Sequence, residues 1–287
     1  MKNKDDIYFK DYLASRIIMG GKNVDGYDRV YYRINEDMVD EFLSIDFNDK
    51  EVLSVLASSD QVFMFRALDA KKVDTFDFNR LTMYYYFLRK WSIKYMNSLY
   101  PVLDNNWISI LLSKVEVTNK NEKRALLFFR EHLKNNSNFN NFFYDIDLQP
   151  EGASLFTSAK MANNFVDDDL TFFNLDLFKE NSYLIFNKYD YIYISNILDW
   201  ARNDDKKIKN AKENLYSYLK DNGLIICSNL VNRDMSSFSN ERKIFDCDFE
   251  FYSFPNSRGY VYKKNSFIIL YFKIIFSIII NEVVTFF

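Results

Sequence analysis

The chain has 287 residues, 48% of them apolar and 18% aromatic, enough to bury a sizeable core and too apolar for an intrinsically disordered segment. Its 37 basic and 40 acidic residues leave a net charge of -3, which gives no electrostatic reason to expect nucleic acid as a partner. Two cysteines, Cys227 and Cys247, suit a reducing cytoplasm, and the single histidine, His132, excludes a histidine-centred triad or a histidine-cluster metal site.

The charged start, MKNKDDIYFKDYL, breaks the apolar run that an export signal needs, so none is expected and the location implied is cytoplasmic. Residues 8–47 read as a helical approach interrupted at Gly20, Gly21 and Gly26. Within it, residues 37–45 place Met38, Phe42 and Ile45 on one helical face. The core begins at residue 51. An apolar strand over 52–56 runs into the small polar residues Ala57, Ser58, Ser59, Asp60 and Gln61. A short helix over 62–69 follows, then a strand over 72–76 that ends on Asp77, with Phe78 and Asn79 beyond. This is the opening β-α-β unit of a nucleotide-binding α/β fold, with an acid where such folds grip a ribose.

A strong amphipathic helix over 80–99 comes next, with Leu81, Tyr84, Tyr85, Leu88, Trp91 and Tyr95 in helical spacing and Pro101 past its end. Residues 101–169 are too long for a simple connection and mostly helical in character, including 123–134. They read as an inserted cap, at about 100–169, whose aromatics (Trp107, Phe128, Phe129 and Tyr144 among them) suit either an apolar acceptor or an ordinary core. The run Asp167–Asp169 reads as a solvated loop rather than a cation site.

Alternation then resumes. A strand over 170–176 ends at Asp176, and YDYIYIS at 189–195 is a near-continuous apolar run suited to burial on both faces of a parallel sheet. A helix over 206–221 is expected to stop at Gly223, before a strand over 224–228. Its lysines read as a wet face. Segments 249–254 and 260–263 flank PNSRG and read as a closing hairpin. The expected fold is α/β: a Rossmann-like, mostly parallel sheet with a C-terminal antiparallel hairpin. It carries a helical segment over 1–45, the Rossmann-like domain over 46–264 with its helical cap, and an apolar tail over 265–287.

The stretch EVLSVLASSDQVFMFRALDAKKVDTFDFNRLTMYYYFLRKWSI, together with YDYIYISNILDW, resembles the S-adenosylmethionine:diacylglycerol 3-amino-3-carboxypropyl transferases and their shorter bacterial relatives. The resemblance implies a class I S-adenosylmethionine-dependent methyltransferase-like fold, S-adenosylmethionine as donor, and transfer of a methyl or aminocarboxypropyl group to a small-molecule or lipid acceptor. Two departures stand out. Ser59 and Asp69 occupy positions where that family carries glycine, so the loop after the first strand holds no glycine at all. Glycine there permits positive φ and close approach of backbone to ligand. A non-catalytic member of the fold, acting as a binding or scaffold module, is the alternative.

The cofactor-binding candidates are Ala57, Ser58, Ser59, Asp60, Gln61, Asp77, Phe78, Asn79, Asp176, Leu177, Ser195 and Asn196; no metal site is expected. Asp60 reads as a partner for the donor's ammonium, or, with Ser59, as a helix cap. Asp77 reads as the acceptor for both ribose hydroxyls, with Asn79 as the cap of the following helix. Asp176 and the backbone of Leu177 read as adenine contacts, or Asp176 as a turn former. Ser195 and Asn196 end the fourth strand at the crevice and are the catalytic candidates along with Asp199, itself alternatively a cap. Tyr31, Tyr32 and Arg33 are placed to close over the donor. Residues 266–287 are long and apolar enough to suit a membrane span, but Lys273 falls near the middle at a cost of about 2.5–3.5 kcal/mol. Surface association or packing on the domain are the other readings.

Overall fold

The computed structural model describes residues 30–33, 39–135, 139–143, 156, 158–166, 170–179, 188–201, 204–228, 249–253 and 259–264. The glycines at 20, 21 and 26, the acidic run at 167–169, Cys247 and the tail at 265–287 lie outside them. Among the described residues no helix is long and apolar enough to cross a membrane, and no group of acidic, histidine or cysteine side chains could hold a metal ion.

Seven strands form one sheet: β1 (Glu51–Val55), β2 (Lys72–Asp77), β3 (Phe172–Asn174), β4 (Tyr189–Ser195), β5 (Leu219–Ser228), β6 (Phe249–Ser253) and β7 (Gly259–Lys264). Their order is β3-β2-β1-β4-β5-β7-β6. The first five run parallel, and β7 pairs antiparallel with both β5 and β6. The expected Rossmann-like sheet with its closing hairpin is therefore the one observed. Strand order reverses between β1 and β4, so a crevice opens beyond their carboxyl ends, where the loops after the two strands diverge to opposite sides.

The helices are α1 (Val39–Ser44), α2 (Asp60–Ala67), α3 (Leu81–Met96), α4 (Asn105–Lys114), α5 (Lys120–Lys134), the short α6 (Ala159–Ala162) and α7 (Asp205–Tyr218). Helix α2 starts two residues earlier than its apolar pattern predicts, which puts Asp60 and Gln61 in its first turn. Helix α3 ends at Met96 rather than at 99, stopped by Asn97 in a left-handed conformation. β3 is shorter than expected.

The helices expected to form a cap pack on α3, and Phe128, Phe129, Phe139, Phe142 and Phe143 are buried in the same continuous core as the sheet. At that contact Lys90 of α3 pairs with Glu122 of α5, both buried. Trp91 Nε1 donates to the same carboxylate oxygen at 3.3 Å, and the amide and hydroxyl of Thr118 donate to the other, each at 2.7 Å. Burial alone would raise the Glu122 carboxyl; the bonds from Lys90 and Thr118 outweigh it and hold the group below its ordinary value.

The expected stop at Gly223 is corrected. Helix α7 ends at Tyr218 because Leu219 turns extended and is buried opposite Tyr189 of β4. The register then shifts, and the next pairing is Tyr191 with Leu224. Gly223 lies inside this irregularity, where an added Cβ would stand 2.7 Å from Leu219 Cγ and 2.8 Å from the Asp190 carbonyl oxygen. Close backbone approach, not a helix stop, is what demands glycine here. Gly223→Ala is expected to destabilise the protein by about 1–3 kcal/mol, the usual cost of overpacking. Thermal unfolding reads this directly, and an unchanged midpoint would show that the Asp190 strand moves aside.

Candidate functional site

The crevice is built from two strand ends. After β1 the chain passes through Leu56, whose amide donates to Phe76 O at 2.9 Å, and turns back so that Ser59 N donates to Leu56 O at 2.7 Å. Closing this turn without glycine puts Ala57 at φ 37° and Ser59 at φ 74°, and at the far end of α2 Asp69 sits at φ 61°. A side chain in the left-handed region costs roughly 1–2 kcal/mol per residue. Both positions where the resembled family carries glycine thus keep the backbone that glycine would favour. Across the crevice Ser195, at the tip of β4, is left-handed as well, with φ 51°.

Asp77 closes β2 and is buried. Its Oδ2 accepts from Ala57 N at 3.2 Å and its Oδ1 from Asn79 N at 2.9 Å, so one carboxylate ties the loop after β1 to the loop after β2. A carboxylate offers about four lone-pair sites. The two amides, together with the Thr82 hydroxyl that also bonds the carboxyl, use part of this capacity and leave room for a further donor. Among the described residues no salt bridge compensates Asp77. Burial pushes its carboxyl up to about 7 despite the two amides and the Thr82 hydroxyl.

Asn79 takes the capping role foreseen for it: its Oδ1 accepts from Leu81 N at 3.0 Å. Asn174, at the end of β3, donates to the carbonyls of Asp77 and Phe78 and holds this tip in place. The Phe78 ring, beside it, is 46% exposed.

Asp60 is in the opposite situation. Its Oδ1 lies 3.0 Å from Arg89 Nη2 and accepts from Tyr100 Oη at 3.0 Å, while Oδ2 accepts from Ser58 Oγ at 2.9 Å. An ammonium arriving there would share its acceptor with a buried guanidinium. The helix-cap reading for Ser59 does not hold: it occupies the N-cap position but its side chain makes no capping bond. Instead Ser59 Oγ and Gln61 Oε1, both buried at the start of α2, have no hydrogen-bond partner among the described residues. A buried acceptor left unpaired costs about 1–3 kcal/mol, and these two face the start of a helix at the strand-order reversal.

Arg89, missed from the sequence, is completely buried. Its Nη1 donates to Ser58 O at 2.7 Å and its Nη2 to Leu99 O at 3.4 Å, while the guanidinium lies between the rings of Tyr100 (4.4 Å) and Phe63 (5.1 Å). Burial alone would lower its pKa, but Asp60 and then Tyr100 and Tyr85 more than offset this and hold it above its ordinary value. The available signal was its place four residues after Tyr85, on the apolar stripe of α3.

Of Tyr31, Tyr32 and Arg33, Tyr32 is packed into the wall behind this cluster. Its hydroxyl donates to Pro101 O at 2.7 Å, and Arg33 lies over the rings of Tyr32 and Tyr100. Asp176 forms a turn, Oδ1 accepting from Phe178 N at 3.0 Å and Oδ2 pairing with Lys179, and the Leu177 carbonyl accepts from Asn214 of α7. Ser195 and Asn196 are buried at the end of β4. Asp199 lies in a short 3-10 turn, Ile197–Ala201, and its side chain is outside the described residues.

No protein-family model matches the chain, and no curated protein does. Among solved structures it is similar to the N-methyltransferase NodS of Bradyrhizobium japonicum: 9% identity, 79% of this chain and 94% of that one, TM-score 0.37. A protein of Listeria monocytogenes assigned as an S-adenosylmethionine dependent methyltransferase shares 11% identity over 79% of this chain and 97% of its own, with a TM-score of 0.33. A Galdieria sulphuraria protein assigned as a sarcosine dimethylglycine methyltransferase shares 10% identity over 88% and 77%, with a TM-score of 0.34. At these scores the chain's own residues have to carry any functional reading.

A raised carboxyl makes the folded state bind its proton more tightly than the unfolded chain. The stability this brings is complete below the ordinary carboxylate range, near 4, and is lost as pH rises through about 7. At about 1.4 kcal/mol per unit the loss amounts to several kcal/mol. The unfolding midpoint of the wild-type protein minus that of Asp77→Asn should therefore fall steadily between pH 4 and 8. A difference that stays flat in calorimetry over that range would rule out a buried, titrating Asp77.

Proposed function

We propose that the protein is an S-adenosylmethionine-dependent transferase. The observation that carries this reading is Asp77: a buried carboxylate at the tip of the second parallel strand, beside the strand-order reversal, with acceptor capacity beyond its two amides and the Thr82 hydroxyl. That arrangement fits the two hydroxyls of a ribose, and each bond to a charged acceptor is worth roughly 1.5–3 kcal/mol. Ser59 Oγ and Gln61 Oε1 suit donors on the ligand's amino-acid portion, such as its ammonium, and the amides at the start of α2 suit its carboxylate. Phe78 offers a face to a purine. The residues present therefore fit the ligand.

S-adenosylmethionine, when bound, supplies an electrophilic carbon next to a sulfonium. The chain's work is then alignment and exclusion of water. Ser195 and Asn196, across the crevice from the β1 loop, are the side chains proposed to orient an acceptor. Methyl transfer is the simpler reading and aminocarboxypropyl transfer the narrower one; a small apolar or lipid acceptor is proposed for either. The glycine-free loop is the reason to consider a non-catalytic module, but its backbone keeps the left-handed turn, and this favours the enzyme.

Thermal melting with S-adenosylmethionine or S-adenosylhomocysteine tests the reading. A ligand at about 100 times its dissociation constant stabilises by about 2.7 kcal/mol, which should raise the midpoint by several degrees in a domain of this size. Asp77→Ala should abolish the shift while the protein remains folded. No shift with either compound at millimolar concentration would instead support the scaffold reading. With binding in hand, mass spectrometry of the spent donor separates the two chemistries: S-adenosylhomocysteine marks methyl transfer and methylthioadenosine marks aminocarboxypropyl transfer.

A further inference from the structure

In the loop after β1, two residues with side chains, Ala57 and Ser59, hold positive φ, and neither owes it to a cap: Ser59 Oγ has no hydrogen-bond partner among the described residues. The residue between them is gripped from outside. Arg89 Nη1 donates to Ser58 O at 2.7 Å while Nη2 sits 3.0 Å from Asp60 Oδ1, so one planar fork ties the carbonyl that precedes Ser59 to the side chain of the residue that follows it. The fork cannot swing away. Phe63 and Tyr100 cover it, Leu99 O accepts from it, and Tyr100 Oη bonds the same carboxylate. A lysine has the charge but not the two-pronged geometry.

We propose that Arg89 is a positioning residue that imposes the left-handed turn at Ser59, doing from the neighbouring helix what a glycine in the loop would otherwise permit. The inference takes the S-adenosyl ligand of the preceding reading as one probe, and a second readout is independent of it. Because the role is exerted on the backbone, glycine at 59 should make Arg89 dispensable for loop shape though not for burying Asp60. A residue needed only for stability would show no such dependence.

The experiment compares wild type, Ser59→Gly, Arg89→Lys and the double variant. In hydrogen exchange read by mass spectrometry, Arg89→Lys should speed exchange of the Ser59 amide, which bonds Leu56 O, by more than tenfold. Amides inside α5 should stay within twofold, and adding Ser59→Gly should return the loop most of the way to wild type. In calorimetric titration with S-adenosylhomocysteine, Arg89→Lys should weaken binding at least tenfold, and the double variant should recover to within about threefold of wild type. Loop exchange unchanged in Arg89→Lys, or a loss that Ser59→Gly fails to repair in both readouts, would overturn the proposal. If wild type binds no S-adenosyl compound, the transferase reading fails and the exchange result alone decides this one. Should Arg89→Lys not fold, the uncharged pair Arg89→Gln with Asp60→Asn takes its place in the same comparison.

Discussion

Two carboxylates at the mouth of the crevice live under opposite electrostatic conditions, and the rest of the site is arranged around that contrast. Asp60 has a guanidinium, a phenol and a serine hydroxyl around it. Its charge is settled within the chain. Asp77 has two backbone amides, the Thr82 hydroxyl and, among the described residues, no salt bridge. Removal from water without a counter-charge is what lifts a carboxyl towards neutrality, and it is also what leaves an acceptor in want of donors. Asp60 has the surroundings of a structural acid, and Asp77 those that the proposed ribose contact needs. The same carboxylate joins the loops after β1 and β2 and so fixes their spacing.

The loop beside it shows how little of a motif lies in residue type. Small side chains at 57, 58 and 59 keep the bend open, and its handedness survives with serine where glycine would be the cheaper choice. Strain of this kind persists only where surrounding structure over-determines the backbone. Here the surroundings are identifiable: the Leu56–Ser59 turn, the Asp77 bond to Ala57 and the Arg89 bond to Ser58.

Much of this was legible in the chain, for reasons that can be named. β4 was readable to the residue because a strand covered on both faces is nearly continuously apolar, here broken by Asp190 before the closing serine. The β1-α2-β2 unit was readable because an apolar strand runs into a cluster of small polar residues before a short helix and a second strand that ends on an acid. Asp77 stood out as an acid ending an apolar strand, and Asn79 as a cap. Other features depended on partners distant in sequence. Arg89 and Lys90 drew no reading from the sequence, and only the fold brings Asp60 and Glu122 to them. The end of α7 was misplaced because Leu219 answers to Tyr189 in the sheet, a pairing that outweighs local helical preference and the pull of Gly223. Asp176 accepts from Phe178 N two residues on, a turn that its sequence neighbours alone did not specify.

Adjacent residues on a helix project about 100° apart. Arg89 and Lys90 use that angle to reach two different acids, one under the crevice and one in the helical layer. The pair works as a key. Rolling α3 about its axis, or sliding it by a single residue, would carry each cation away from its acid and leave both acids uncompensated in the interior. The rotational setting of this helix is therefore locked by charge as well as by packing, and the aromatic side chains along it inherit a fixed orientation that apolar contacts, being tolerant of small rotations, would not specify.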